Sequence, residues 1–391
     1  MKRLLIVSIL VVSLMIPVMM NNVSLADQPQ IVIGLITALT GPTSLWGNQE
    51  RNGAVLRVDE INAAGGVLGK QIKLVVYDHK GSTQEGVSAY RRLVDEDKAV
   101  VVLGTHFSNI SLAIAPVAEQ KKIPIIGQPM EPKATMPTPG TLNRYHFLAQ
   151  PSCIEQGQMM ARFGLEDLKG KTAAVLTDKS NSYSISQAEA FAEYFKARGG
   201  KIASYIEYAA GTVDFKVYMT RIKQAKPQLL YLPQYAQHGG MQVKQAREAG
   251  IKAKVLGSNS LSDPTFMNAA GGAKNVEGVY FLFNVNFKEP RFEKFIKDYE
   301  AKFGGTPVTY HCLFGYDDAT LAVEAIKNAG AADPEKIRTA LENLNRVPIL
   351  MGDGYFTMDP KTHRTISMPS WVFEWQKNGD RAPVKMIYPA N

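Results

Sequence analysis

Apolar positions in the first third of the chain switch between two periods. Ile31 to Ile36 is a near-continuous apolar run, followed by a Thr40-Gly41-Pro42 turn. Beyond it Ala54, Val55, Val58 and Ile61 recur at helical spacing, with Arg51, Arg57 and Glu60 off that stripe. Gly65-Gly66 is a helix stop, and a second apolar run, Ile72 to Val76, leads into Asp78. Strand, amphipathic helix and strand joined by short connections predict parallel pairing in an α/β sheet. Apolar runs at Val100 to Leu103, Ile123 to Ile126, Ala173 to Leu176, Leu229 to Leu232, Lys254 to Leu256 and Val279 to Phe283 continue the pattern. Helical stretches such as Gln187 to Ala197 and Phe215 to Gln224 lie between them. The fold class is therefore α/β with doubly wound parallel sheets, whose ligands bind beyond the carboxyl ends of the strands. The loop Thr37 to Gly47 is expected to line such a site.

Length changes the picture first. A chain of 391 residues exceeds the size of about 250 at which one core stops growing, which argues for two lobes. Residues 1–26 have the order of a signal peptide: Lys2-Arg3, an apolar run from Leu4 to Met20, then Ser24-Leu25-Ala26, with cleavage expected after Ala26. The alternative, a membrane anchor, needs roughly 20 apolar residues, and this run falls short of that at the extreme N-terminus. With Cys153 the first cysteine, no lipid-anchor cysteine follows the run, so the protein is expected to be free in the periplasm. The formal charge is +8; cleavage removes two of the 44 basic residues and none of the 36 acids, leaving +6. So small a charge, with no dense basic block, argues against a nucleic-acid partner. Cys153 and Cys312 are either a disulfide, which an oxidising compartment permits, or two buried free thiols.

The stretch 31–78 resembles the opening of the branched-chain amino-acid-binding proteins of ABC transporters, the type I periplasmic binding proteins. The matching features are Thr40-Gly41-Pro42, Gly47, Gly53-Ala54, Glu60-Ile61-Asn62, Ala64-Gly65-Gly66, Gly69 and Tyr77-Asp78. The likeness returns at Ile123-Pro124-Ile125, Gln245-Ala246, Gly250, Glu277-Gly278 and Tyr316-Asp317. It implies two lobes joined by a hinge of three crossovers, near Tyr145 to Gln150, Tyr280 to Asn284 and Leu350 to Phe356, with the ligand cleft between them. The N-terminal lobe would hold residues 27–147 and 284–349, and the C-terminal lobe 148–283 and 350–391. It also implies a monomer that captures a small molecule by hinge closure and hands it to the membrane subunits of an ABC permease, or a sensor subunit on the same scaffold.

Candidate site residues follow from strand ends and from the resemblance together. Trp46 takes the place of a family tyrosine that packs on the ligand side chain; the alternative is a tryptophan packed in the lobe surface. Ser108, after the Val100 to Leu103 strand, sits where an N-cap is expected, and in the family a serine here holds the ligand carboxylate. His106 and Phe107 correspond to side-chain pocket residues that are usually small or aliphatic. Met130 and Glu131 follow the Ile123 to Ile126 strand, Glu131 where a threonine is typical. A carboxylate beside a ligand carboxylate is costly, so Glu131 either turns outward, is protonated, or meets a cation or donors on the ligand. In the second lobe, Tyr183 and Tyr235 are expected to cover the ligand, and Asn259 stands where amino-acid-binding members place an acid for the ammonium group. The departures point away from a standard aliphatic amino acid and towards a small polar or aromatic ligand: an amide, a cationic amine or an aromatic acid.

Signs of catalysis are missing: there is no phosphate-binding glycine loop and no Gly-x-Ser-x-Gly elbow. Asp317-Asp318 is read as a helix start, where acids suit the dipole. His79, His146, His238, His311 and His363 show no metal-ligand spacing with His106. Neither an enzyme nor a bound cofactor or metal is expected.

Overall fold

In the computed structural model, which describes residues 30–389, the chain begins with β1 (Gln30–Thr37), α1 (Ser44–Ala63), β2 (Gln71–Asp78), α2 (Thr83–Asp95), β3 (Val101–Gly104), α3 (Ser108–Lys121), β4 (Ile125–Gly127) and β5 (His146–Leu148). The expected signal peptide thus lies outside the described residues. The second half-turn of the architecture runs α4 (Cys153–Glu166), β6 (Thr172–Asp178), α5 (Ser182–Ala197), β7 (Lys201–Tyr208), α6 (Lys216–Ala225), β8 (Leu229–Leu232), α7 (Ala236–Glu248), β9 (Lys254–Gly257), α8 (Pro264–Ala269), α9 (Ala273–Val276) and β10 (Val279–Phe283). The chain then returns through α10 (Glu293–Phe303), α11 (His311–Ala329), α12 (Pro334–Glu342), the hairpin β11 (Val347–Pro348) and β12 (Tyr355–Phe356), β13 (Met358–Asp359) and β14 (Arg364–Thr365). It finishes with β15 (Ser370–Trp375) and β16 (Arg381–Ile387).

Two seven-stranded sheets result, ordered β2-β1-β3-β4-β5-β14-β13 and β7-β6-β8-β9-β10-β15-β16. The order is the same in both, so each lobe is one doubly wound α/β unit with parallel inner strands. Inner strands such as β3 and β8 are buried along their whole length, which is why they read as unbroken apolar runs. The expected fold class is the observed one. Local signals set the helix ends. α1 stops at Ala63 before Gly65 and Gly66, both at positive φ, and α4 opens with a capping box formed by Ser152 and Glu155.

Helix α1 buries Ala54 and Val58 of the expected stripe and leaves Val55 and Ile61 half-buried, and α11 lies against it at Glu50, Gly53 and Ala54. The two backbones touch there. A Cβ on Gly53 would fall 1.7 Å from the Cys312 carbonyl oxygen, and one on Gly315 would fall 1.9 Å from the Glu50 carbonyl oxygen. Only glycine permits that approach.

Three expectations need correction. The third crossing is not at 350–356: β13 and β14 return to the first sheet beside β5, and the chain crosses only between Thr365 and Ser370. The first lobe therefore extends through residue 365. Asp317 and Asp318 are not at a helix start; they lie mid-way along α11 and are fully buried. Ser108 is not an N-cap either, since Phe107 holds the extended cap position and Ser108 is the first helical residue. Of the two alternatives for the cysteines, the structure has free buried thiols. No helix among the described residues is long and apolar enough to cross a membrane.

Candidate functional site

Each sheet reverses its strand order between its first and third strands, at β1/β3 and at β6/β8, and the loops beyond those carboxyl ends face one another across the two lobes. From the first lobe come Trp46 in the opening turn of α1, His106 and Phe107 before α3, and Met130 and Glu131 after β4. From the second come Tyr183 in the first turn of α5, Tyr235 before α7, and Asn259 after β9.

Aromatic rings fill the middle. Trp46 stacks on His311 at 5.2 Å between ring centres and 7° between planes, lies 6.1 Å from Phe107, and meets Tyr235 edge-on at 5.9 Å. His106 lies 4.2 Å from Phe107 and 4.8 Å from His311, while Tyr183 stacks on Tyr235 at 5.1 Å. Trp46 and Tyr235 also line a cavity of about 140 Å³ with Leu45 and His238. Five of the nine expected residues thus form one ring cluster that draws on both lobes.

Polar contacts cross the same boundary. The Trp46 indole N–H donates to Asp263 Oδ2 at 2.5 Å. Ser182 donates through its amide and its hydroxyl to Asn109 Oδ1, and the Ser186 hydroxyl donates to Glu131 Oε2. Asn259 accepts from the Tyr183 hydroxyl at 2.7 Å and donates to the Tyr310 hydroxyl at 2.9 Å, so its amide is a neutral bridge between lobes. Met130 packs with Cys153 and Tyr183, and its amide donates to Ser108 Oγ at 3.4 Å. Ser108 thus serves the neighbouring strand end, and its hydroxyl caps nothing on its own helix.

Glu131 is fully buried, and both of its oxygens are taken: one by the Lys133 amide, the other by Ser186. The same holds for Asp263, which accepts from the Thr265 amide and from Trp46. Arg381 stands close enough for the two charges to interact.

Under His106 lies an acidic floor that sequence reasoning missed. Glu50, with no exposed surface, accepts on Oε2 from the Thr37 hydroxyl and from His106 Nδ1 at 2.8 Å. Asp318 accepts from Gln128 Nε2 at 2.6 Å. Burial, reinforced by the charge of Glu50, raises the Asp318 carboxyl well above the usual carboxylate range. Burial holds the His79 imidazole down at about 4, with His106 adding to the effect, and keeps His311 neutral as well. Tyr183 is pushed up to about 12 by burial, so its hydroxyl keeps its proton. Glu50 was detectable: it lies four residues before Ala54 on the apolar stripe of α1, where an acid has to be buried. Tyr310 and His311 carried no such sign, because they come from the returning segment.

Among the described residues no group of three or more His, Cys, Asp or Glu is placed to hold a metal ion. The arrangement is a closed aromatic and amide-lined cleft with buried charge on one side, suited to gripping a small molecule.

Comparison with known proteins agrees with that geometry. A family model described as periplasmic binding protein matches residues 30–380. The chain is 29% identical over 359 residues to a leucine-, isoleucine-, valine-, threonine-, and alanine-binding protein of Pseudomonas aeruginosa, across 91% of this chain and 92% of that one. It resembles the solved leucine-binding protein LivK of Thermotoga maritima, with 25% identity and a TM-score of 0.82 over 92% of this chain and 99% of that one. The branched-chain amino acid transporter substrate-binding protein LivJ of Streptococcus pneumoniae, solved with isoleucine, is 26% identical, with a TM-score of 0.82 over 92% and 100% of the two chains.

Proposed function

We propose, from the premise that the chain belongs to the periplasmic binding protein family, that it is the extracytoplasmic solute-binding protein of an ABC importer. Its relatives are solute-binding proteins for branched-chain amino acids, and its role is capture, not catalysis. The ligand is a small polar or aromatic molecule other than an aliphatic amino acid. It enters between the lobes, is enclosed as they rotate about the three crossings, and is passed to membrane permease subunits by a monomer exported through cleavage after Ala26.

The observation that carries this is the make-up of the cleft. Trp46, Phe107, Tyr183 and Tyr235 supply flat apolar faces from both lobes. Asn259, at the position expected to meet an ammonium group, brings an uncharged amide already bound to Tyr183 and Tyr310. A ligand touching both lobes favours closure, because only contacts made by both stabilise the closed form.

Native mass spectrometry of the purified protein, followed by thermal shift against amino acids, amides and aromatic acids, tests the reading. Stabilisation by aromatic or amide compounds is expected. Strong stabilisation by leucine, isoleucine or valine alone would refute the ligand class.

A further inference from the structure

The two lobes share one topology but not one charge. Residues 148–283 with 366–391, which build the second sheet and its helices, contain 19 basic and 13 acidic side chains. The whole +6 expected of the mature chain therefore falls on the second lobe, and the first is neutral. That charge gathers at one end. Lys169 and Lys171 precede β6, Lys201 opens β7, Lys226 precedes β8, and Lys252 and Lys254 lie just before and at the start of β9. Strand pairing brings them together: Lys201 lies opposite Thr172 and Lys254 opposite Leu229, and the Lys201 and Lys254 amides donate to the Lys171 and Gln228 carbonyl oxygens. A seventh lysine, Lys223, lines a hollow of about 550 Å³ with Lys226 and Lys252.

All seven are exposed, and among the described residues none of them is in an ion pair, although six other lysines are. Lys254 lies over the Tyr280 ring. The acids at this end are Glu166, Asp167, Glu248 and Glu277; Asp167 is paired with Lys385, and Glu277 stands close to Arg247. The matching end of the first lobe is built differently, because there Arg92, Lys121 and Arg144 pair with Glu96, Asp95 and Glu335. Strands β6 to β9 are parallel, so the seven lysines stand at their amino ends, a strand's length of roughly 15–20 Å from the cleft at the carboxyl ends. Contact with a cleft-bound ligand does not account for them.

We propose that this pole of the second lobe is an electrostatic docking face for an anionic phospholipid bilayer. Charge of one sign spread along four neighbouring strand ends, β7-β6-β8-β9, makes a broad positive field and not a point site. Its makeup fits a diffuse partner: all seven residues are lysines, which act as point charges, whereas a partner with fixed carboxylates or phosphates is matched by the fork of arginine. The function proposed above keeps the protein beside a bilayer, and the choice of occupant rests on it. Lysines near an anionic bilayer each contribute a small attraction that salt screens, so the contact is reversible and leaves the protein free to meet membrane subunits. Docked by this pole, the protein turns its cleft away from the lipid, open to solute.

Co-sedimentation of the mature protein with vesicles tests the assignment. Vesicles of phosphatidylcholine with about 30% phosphatidylglycerol are expected to bind it, and vesicles of phosphatidylcholine alone to bind it at least 10-fold more weakly. Raising the salt from about 0.02 M to about 0.3 M should lower binding to the anionic vesicles by about 10-fold or more. Lys226→Glu with Lys252→Glu should weaken that binding at least 10-fold with an unchanged melting temperature, whereas Lys70→Glu with Lys98→Glu, at the matching end of the first lobe, should leave it within about 2-fold. The proposal falls if the two kinds of vesicle bind alike or not at all, or if the two double variants behave alike. It also falls if inorganic phosphate at constant ionic strength abolishes binding, which would make the hollow a phosphate site, or if the protein is retained by DNA and not by vesicles. A protein that ignores vesicles yet binds a small molecule loses the docking face and keeps the solute-binding function; one that binds vesicles through these lysines and closes on no small molecule loses that function and keeps the face.

Discussion

Replacing Trp46 by Phe removes one hydrogen bond that joins the lobes, and its effect on closure can be worked from the structure. The indole N–H donates to Asp263 Oδ2 at 2.5 Å, with Trp46 8% and Asp263 3% exposed, so the bond is charge-assisted and shielded from water. Hydrogen bonds to charged groups contribute about 1.5–3 kcal/mol, and here the abandoned carboxylate oxygen has only the nearby Arg381 to compensate it. Trp46→Phe should therefore shift the open-to-closed equilibrium by roughly 10- to 100-fold towards open. Because Trp46 is also proposed to face the ligand, a cycle is needed. Ligand affinity is measured for Trp46→Phe, Asp263→Asn and the double variant, alongside small-angle scattering of each with and without ligand. A coupling of about 1 kcal/mol or more between the two sites is expected, with the single variants more extended at equal ligand. Coupling below about 0.3 kcal/mol, or a Trp46→Phe protein that closes like the wild type, would refute the argument that this bond holds the lobes together.

Two further outcomes follow from packing and burial. Gly53→Ala places a methyl 1.7 Å from the Cys312 carbonyl oxygen and so forces α1 from α11; calorimetry should show a loss of about 1–3 kcal/mol or more, and an unchanged melting temperature would mean the helices are free to move apart. His146 is buried, bound at Nε2 to Ser111 Oγ, and held down at about 3 by burial, so the folded protein refuses a proton that the unfolded chain takes up below about pH 6.5. Its contribution to stability is full above that pH and is lost as pH falls, by about 2 kcal/mol between pH 7 and pH 5. Denaturant melts of His146→Gln at the two pH values should show a correspondingly smaller difference than the wild type; equal differences would mean that His146 titrates normally.

The α/β architecture was legible because the inner strands are buried on both faces and so spell apolar runs, and because Gly65-Gly66 and the Ser152 box mark helix ends in residue types that only those ends favour. The third crossing was not. Strands β13 and β14 are two residues each, Met358–Asp359 and Arg364–Thr365, too short to show any period, and their place in the first sheet depends on pairing with distant β5. Asp317 and Asp318 looked like helix-start acids because their burial is created by tertiary packing; Asp317 is held there by the Leu350 and Met351 amides. In the cleft, the residues beyond strand ends could be named in advance, from topology and the family resemblance together. Asp263 and His311 could not, because each acts through Trp46, which is remote from both in sequence, and for Glu50 the burial was detectable but its pairing with distant His106 was not.

The last thirty or so described residues edge both sheets, since β13 and β14 complete the first and β15 and β16 the second. Arg364 pairs with Leu148, more than 200 residues earlier, and β15 lies against β10. A ribosome delivering this chain from its N-terminus leaves each lobe with an unfinished border until the residues of β13 to β16 have been made. Neither half is complete during synthesis, so the nascent chain stays open for longer than one in which the first domain closes on itself as soon as it emerges. Such a delay is consistent with the export proposed above, since a chain that has not yet folded can still be threaded through a membrane.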